Sequence, residues 1–412
     1  MKPWNRRLKD LSLLLNNCEK TYFEPELFRM NANQFLQTSR TVTFLIQKNK
    51  DRIPSFDSWY SNAVVNAWST DAVMTWAKDS RNKIDKQGDI NYFSTLVATL
   101  IVSYFHREDI SVIAKEDRDS LWLNVNRLIK FVRPRMTEEA FENSVVRVER
   151  KWVANSLPDW ELLHVFSYIY TQQYRVCDSL QGNLELKMEE GIPDPSEIDI
   201  EARKSRQIAY ISLKDGTVHR LQHVRIMRDP DFKVDDGELL RDLSEARKDN
   251  GTVEGALSFH AAFTQSMFEL QGVYFPSIFM YDENGKCIYN GGTELADQAS
   301  KHMYWRMLGE QIRSLSPTVV VWSLESWIRE YRNKDPKLHF KDREIVGERL
   351  SVTVVNKNIR AGEIHWEIKR DAEGAPKLGE PVSNMDRSKI LLENNVLSPV
   401  VEAFVFLSEH QG

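Results

Sequence analysis

Leu8, Leu11, Leu14 and Leu15 recur at helical spacing, and that stripe predicts a first helix over residues 8–22. Leu27, Met30, Phe35, Leu36, Val42, Leu45 and Ile46 extend the same period over residues 26–48. Pro54 restarts the chain, and a third helix carries Phe56, Trp59, Tyr60, Val64, Trp68, Val73 and Trp76. It is broken near Ser69-Thr-Asp71 and ends before Gly88. Residues 92–105 then turn to Thr, Val, Ile and aromatics, which favours a strand, although the length also suits a buried helix. A short helix over 119–131, a strand over 145–153 and a long helix over 158–180, opening at Pro158-Asp159, follow.

Residues 188–204 are acidic, poor in apolar residues and carry two prolines, the pattern of a linker. Beyond them, Lys214-Asp-Gly216 and Glu283-Asn-Gly285 mark two hairpins, over 207–213 with 218–227 and over 277–281 with 286–289. Helices are expected over 236–248, 253–271, 293–314 and 324–332, and strands over 318–322, 349–356 and 363–369. Residues 396–407 read as a last helix or strand. Gly291-Gly292 reads as a tight turn with Thr293 as the following N-cap. The order is that of an α+β fold, a helical bundle followed by a mixed region with antiparallel hairpins and helices on one sheet face. Four segments result: 1–90, 91–187 (continuous with the first or separate from it), the linker, and 205–412.

At 412 residues the chain is long enough for two or three cores. A net charge of −5 argues against wholesale coating of a polyanion, but leaves room for a local basic face. Cys18, Cys177 and Cys287 have no zinc-site spacing and cannot form a disulfide framework, so buried thiols in a reducing compartment are expected. The basic start lacks a secretory apolar core, and the apolar run 96–105 is too short for a bilayer, so a cytoplasmic, soluble protein without membrane partners is expected.

Four stretches carry a family resemblance: Asn33-Gln-Phe-Leu36, Ser39-Arg-Thr-Val-Thr-Phe44, Phe56-Asp-Ser-Trp-Tyr60 and Ser80-Arg-Asn-Lys-Ile-Asp-Lys86. On these the first 90 or so residues resemble the HEPN superfamily. The resemblance implies a helical bundle, homodimerisation, RNA or DNA as partner, and a setting in phage defence or toxin–antitoxin systems. Many members cut RNA without a metal, with an Arg followed by Asn or His and then a His. Such cutting needs a base for the 2′-OH proton and a cation for the phosphate. Arg81 and Asn82 fit that motif, but Lys86 stands in the His position. A lysine is a base only with a strongly depressed pKa. The resemblance therefore implies binding through Arg81, Lys83 and Lys86 more than catalysis by Arg81, Asn82 and Lys86; cations closing a helix C-terminus would look the same.

Other candidates are local. Arg220 and Arg225, with His219, His223 and Arg228, make the first hairpin basic enough for a phosphate-facing patch, and the two histidines lack a third metal ligand. Arg332 to His339 and Arg360 to His365 repeat the Arg-to-His spacing in unsuitable surroundings. Glu367-Ile-Lys369 with upstream Asp342 resembles the metal-holding motif of a nuclease family, but Ile364, Trp366 and Ile368 alternate with it as an ordinary amphipathic strand; Glu149-Arg-Lys151 invites the same reading. Glu325 falls where strand 318–322 is expected to pass into helix 324–332, a frequent ligand position. No metal set is found and no cofactor can be named. The expectation is a nucleic-acid-associated protein, with a homodimeric scaffold or a nucleotide sensor using Glu325 as alternatives; if it is an enzyme, a nuclease is expected.

Overall fold

The computed structural model describes residues 2–114, 121–198, 207–220, 250–292, 297–329, 344–386 and 395–410, with positions 295, 388 and 390. The chain divides into two units, the first of residues 1–101 and 109–221, the second of 102–108 and 222–412. Helices and antiparallel sheets occur in both, so the fold is α+β.

In the first unit, α1 (Pro3–Lys20) and α2 (Pro25–Lys48) both begin at a proline, whose missing N–H costs nothing at that position. An irregular helical stretch follows, Phe56–Tyr60, Ser61–Asn66 and Ala67–Ser69. It breaks where expected, because Asp71 caps a new helix, α3 (Ala72–Gln87), by accepting the N–H of Met74. Gly88 ends it at φ +106°, a conformation that glycine tolerates. The sheet runs β2-β1-β3-β5-β6, with β4 also paired to β3. Its strands are β1 (Tyr92–Ile101), β2 (Ile110–Ala114), β3 (Val145–Ala154), β4 (Leu157–Glu161), β5 (Gln207–Ser212) and β6 (Val218–Arg220). The open choice at 92–105 thus resolves as a strand over 92–101, paired along its length with β3, and residues 102–105 lie beyond it. Helix α4 (Leu121–Val132) lies between β2 and β3 in the chain.

The long helix expected from Pro158 starts later. Residues 157–161 form β4, and Glu161 caps α5 (Leu162–Asn183) through the N–H of His164. This helix completes the bundle that the first 90 residues begin. Phe166 packs on Phe35 at 4.7 Å, Tyr168 donates to Asp71 at 2.7 Å, and the Trp59 indole donates to Ser179 at 3.0 Å. The bundle rests on the sheet through Phe28, stacked on Trp152 at 5.1 Å. Hairpin 207–220, expected to open the C-terminal region, instead extends this sheet by pairing β5 with β3. Part of the expected linker is also packed: Ile192 is buried and the Pro193 carbonyl accepts from Tyr170 at 2.6 Å.

The second unit is a fully antiparallel sheet, β12-β11-β10-β9-β7-β8, with β13 on β11. Its strands are β7 (Ser277–Tyr281), β8 (Cys287–Gly292), β9 (Val319–Arg329), β10 (Ile345–Asn356), β11 (Ala361–Arg370), β12 (Pro376–Leu378) and β13 (Val382–Asn384). Helices cover both faces, not one. α6 (Val253–Gln271) packs on Val319, Val321, Leu350, Val352 and Trp366. α7 (Gln298–Leu315) and α8 (Ser398–His410) pack on Val320, Trp322, Ile278 and Met280. A strand buried on both faces reads as a continuous apolar run, and Val319 to Trp322 is one. The helix expected over 324–332 is strand as far as Arg329, and the rest lies outside the described residues. α7 starts at Gln298 with an Asp297–Ser300 capping box, so Thr293 is not its cap, and Gly291 and Gly292 close β8. Residues 396–407 resolve as helix.

Candidate functional site

Arg81 sits in the last two turns of α3, and its nearest partners are on its own helix. Its Nη2 lies 2.9 Å from Asp85, four residues on, and its Nη1 donates to Asn82 at 3.2 Å. Asp85 also accepts from Gln37 of α2 at 3.2 Å. One turn further, Asp89 is paired with Arg29 and accepts from Asn33 at 2.7 Å, while Asn33 accepts from Tyr92 at 3.2 Å. Arg29, Asn33 and Gln37 are four apart, so they form one row on α2, and this row holds two carboxylates that follow Arg81. Lys83 is half-buried and Lys86 is exposed. The chemistry of this arrangement is that of a helix-to-helix suture. It offers one paired guanidinium and two cations, and among the described residues no imidazole is bonded to Arg81 or Asn82.

Glu325 lies in mid-strand, not at a strand-to-helix junction, and faces the α6 side of the sheet. Its carboxylate accepts the backbone N–H of Tyr274, just past the end of α6. Burial pushes its pKa up, and neighbouring Glu348 adds to this. Glu348 is itself held by Arg370 through Nη2 at 2.7 Å and Nε at 3.1 Å. The carboxylate is thus already engaged, beside a Trp327 that is 63% exposed.

Glu367 and Lys369 share the outer face of β11 and pair at 3.5 Å, with Trp366 and Ile368 inward, as the strand alternation predicts. Glu149 is paired with Arg147 at 2.7 Å. Arg360 is paired with Glu254 at 2.6 Å. Arg220 takes its place in β6 opposite Ala209, whereas Arg225, His223, Arg332, His339 and Asp342 lie outside the described residues. Among the described residues no group of His, Cys, Asp and Glu could hold a metal ion, and no helix is long and apolar enough to cross a membrane. Cys18 and Cys177 are buried, which pushes both thiols well above their ordinary range.

Two buried polar residues escaped sequence reading. In the second unit His260 is fully buried on α6, its Nε2 2.6 Å from the Tyr281 hydroxyl, and burial holds it down at about 3. In the first unit Glu161 is buried against Tyr22 at 2.7 Å, 139 residues away in sequence. Each is a single polar residue with no motif around it. Only its burial marks it out, and burial is a tertiary property.

The profile of the family described as "Bacteriophage lambda protein ea47" matches residues 1–403. The curated relative "Protein ea47" of Escherichia phage lambda is 37% identical over 375 residues, 90% of each chain. No solved structure matches. A match over almost the whole length, spanning both units, shows that the chain belongs to the bacteriophage lambda protein ea47 family.

Proposed function

We propose that the chain is a non-catalytic binding protein of the phage that pairs with a second copy of itself through the outer face of α2. The observation that carries this reading is a stripe of exposed apolar side chains on an otherwise well-packed helix. Leu27, Met30 and Phe44 are 45%, 58% and 48% exposed. With Gln34, Gln37, Thr41 and Lys48 they follow the alternating three-and-four spacing of a coiled-coil seam. An antiparallel partner would set Leu27 against Phe44, and Gln34 against Gln37. It would also bring exposed Glu24 and Glu26 at one end towards Lys48 and Lys50 at the other. The pairing of Arg81 with Asp85 on its own helix supports the non-catalytic half of the reading.

The test is light scattering on the full chain and on a Met30→Glu, Phe44→Glu double variant. A dimer mass that drops to a monomer in the variant, with unchanged circular dichroism, is expected. A monomeric wild-type protein refutes self-pairing, and RNA cleavage abolished by Arg81→Ala refutes the non-catalytic role. A nucleic-acid-associated role in the contest between phage and host, the reading that the HEPN resemblance implies, has support in Lys83 and the exposed Lys86. Labelled RNA and DNA, with and without Mg²⁺, test it. Binding weakened by Lys83→Ala and Lys86→Ala is expected, and no binding at all ends it.

A further inference from the structure

Tyr22 turns the chain from α1 into α2 with its side chain driven into the core. Its phenol oxygen stands 2.7 Å from Oε1 of Glu161, 3.1 Å from the carbonyl oxygen of Arg150 and 3.1 Å from the amide nitrogen of Trp152. Tyr22 and Glu161 are both buried. The Trp152 amide can only donate and the Arg150 carbonyl can only accept, while a phenol has one proton to give and two lone pairs. With Glu161 ionised, the carboxylate and the carbonyl would compete for that one proton. With Glu161 protonated, three bonds close together. The carboxyl O–H donates to the phenol oxygen, the phenol donates to the Arg150 carbonyl, and the Trp152 amide donates to the phenol. Oε2 remains free to accept the N–H of His164 at 3.1 Å, capping α5.

The ionisable groups around it do not reverse this count. Cys18 faces Glu161 from α1, Tyr22 from the turn and Lys151 from β3, α5 meets it through the His164 backbone N–H, and Arg150 of β3 faces Tyr22. The Arg150 guanidinium lies over the Trp152 ring at 5.0 Å. Burial outweighs the groups that favour the charged carboxylate, which are a hydrogen bond from the Tyr22 phenol, the amides of α5 and Lys151, and pushes Glu161 up to about 8.

We infer that Glu161 is a neutral carboxylic acid in the folded first unit and serves as a proton latch, tying the α1–α2 turn to β3 and to the start of α5 until alkali releases it. An unfolded carboxyl sits at 4.5 and burial pushes this one up to about 8, so between those values the folded state holds the additional proton. Raising the pH through that window lowers the folded-to-unfolded ratio by about tenfold per unit, and the loss levels off above it.

The test compares the full chain with its Glu161→Gln variant, which keeps the shape and an N–H for the Tyr22 oxygen but cannot titrate. Urea unfolding is followed from about pH 5.5 to about pH 9. The wild-type ratio is expected to fall about tenfold per unit relative to the variant up to about pH 8. Parallel curves overturn the latch. Should Glu161→Gln fail to fold, infrared difference spectra of the wild type decide. A protonated-carboxyl C=O band that persists at neutral pH and disappears in alkali supports the inference, and its absence at neutral pH overturns it.

Discussion

Removing the Arg81–Asp85 pair separates a structural pair within α3 from a phosphate site. The two charges are 2.9 Å apart, with side chains 39% and 32% exposed. Coulomb's law at that distance gives about 1.4 kcal/mol in water and about 6 kcal/mol at a dielectric of 20. Exposed i,i+4 pairs realise only about 0.3–0.5 kcal/mol, because screening and side-chain entropy remove the rest. Asp85 also holds Gln37, and that hydrogen bond adds about 0.5–1 kcal/mol. Arg81→Ala should therefore cost about 0.5 kcal/mol of stability and Asp85→Ala about 1 kcal/mol, with a coupling of about 0.5 kcal/mol in the double variant. If Arg81 is structural, freeing it by Asp85→Ala changes affinity for a polyanion by no more than about twofold, the equivalent of that coupling. The assays are urea unfolding of the four proteins and binding of labelled single-stranded RNA over a range of salt. A tenfold or greater loss of RNA affinity in Arg81→Ala, with the salt slope reduced by about 1, would refute the reasoning and make Arg81 a phosphate ligand.

Two further outcomes test the second unit. Gly309 packs α7 against α8, and a Cβ there would lie 2.9 Å from the Pro399 carbonyl oxygen. Ala gains about 1 kcal/mol in helix propensity, but overpacking against a backbone atom costs about 1–3 kcal/mol, so Gly309→Ala should lower the melting temperature; a rise would refute the close approach. His260 is held at about 3, below its ordinary 6.5. The unfolded chain therefore binds the additional proton between those values, and stability falls as pH falls through that window, by up to about 1.4 kcal/mol per unit. His260→Phe should flatten this acid limb, and an unchanged slope in acid unfolding would refute it.

Local pattern determined much of this chain. α2 and α6 follow from apolar spacing alone, because each presents a stripe that must be buried. The turn at Asn284-Gly285 and the break before Asp71 follow from residues with few other conformations to adopt. Paired strands β10 and β11 were legible because alternation has a fixed period. Elsewhere the local signal favoured the wrong element. Leu324-Glu-Ser-Trp-Ile reads as helix, but backbone pairing with β10, Leu350 opposite Glu325 and Arg349 opposite Ser326, holds it as strand. Pro158-Asp159 looks like a helix start, yet Glu161 is the cap because its carboxyl is bonded to Tyr22 and to the α5 amides. The hairpin at 207–220 gave no sign of which sheet it would join, since edge pairing with β3 depends on backbone that any sequence supplies. The segment around Arg81 was recognisable by its residue types, but what Arg81 can do was decided by Asp85 and Gln37. Burial of Glu161 and His260 likewise exists only once distant segments close over them, because desolvation is set by the atoms that surround a group and not by its neighbours along the chain.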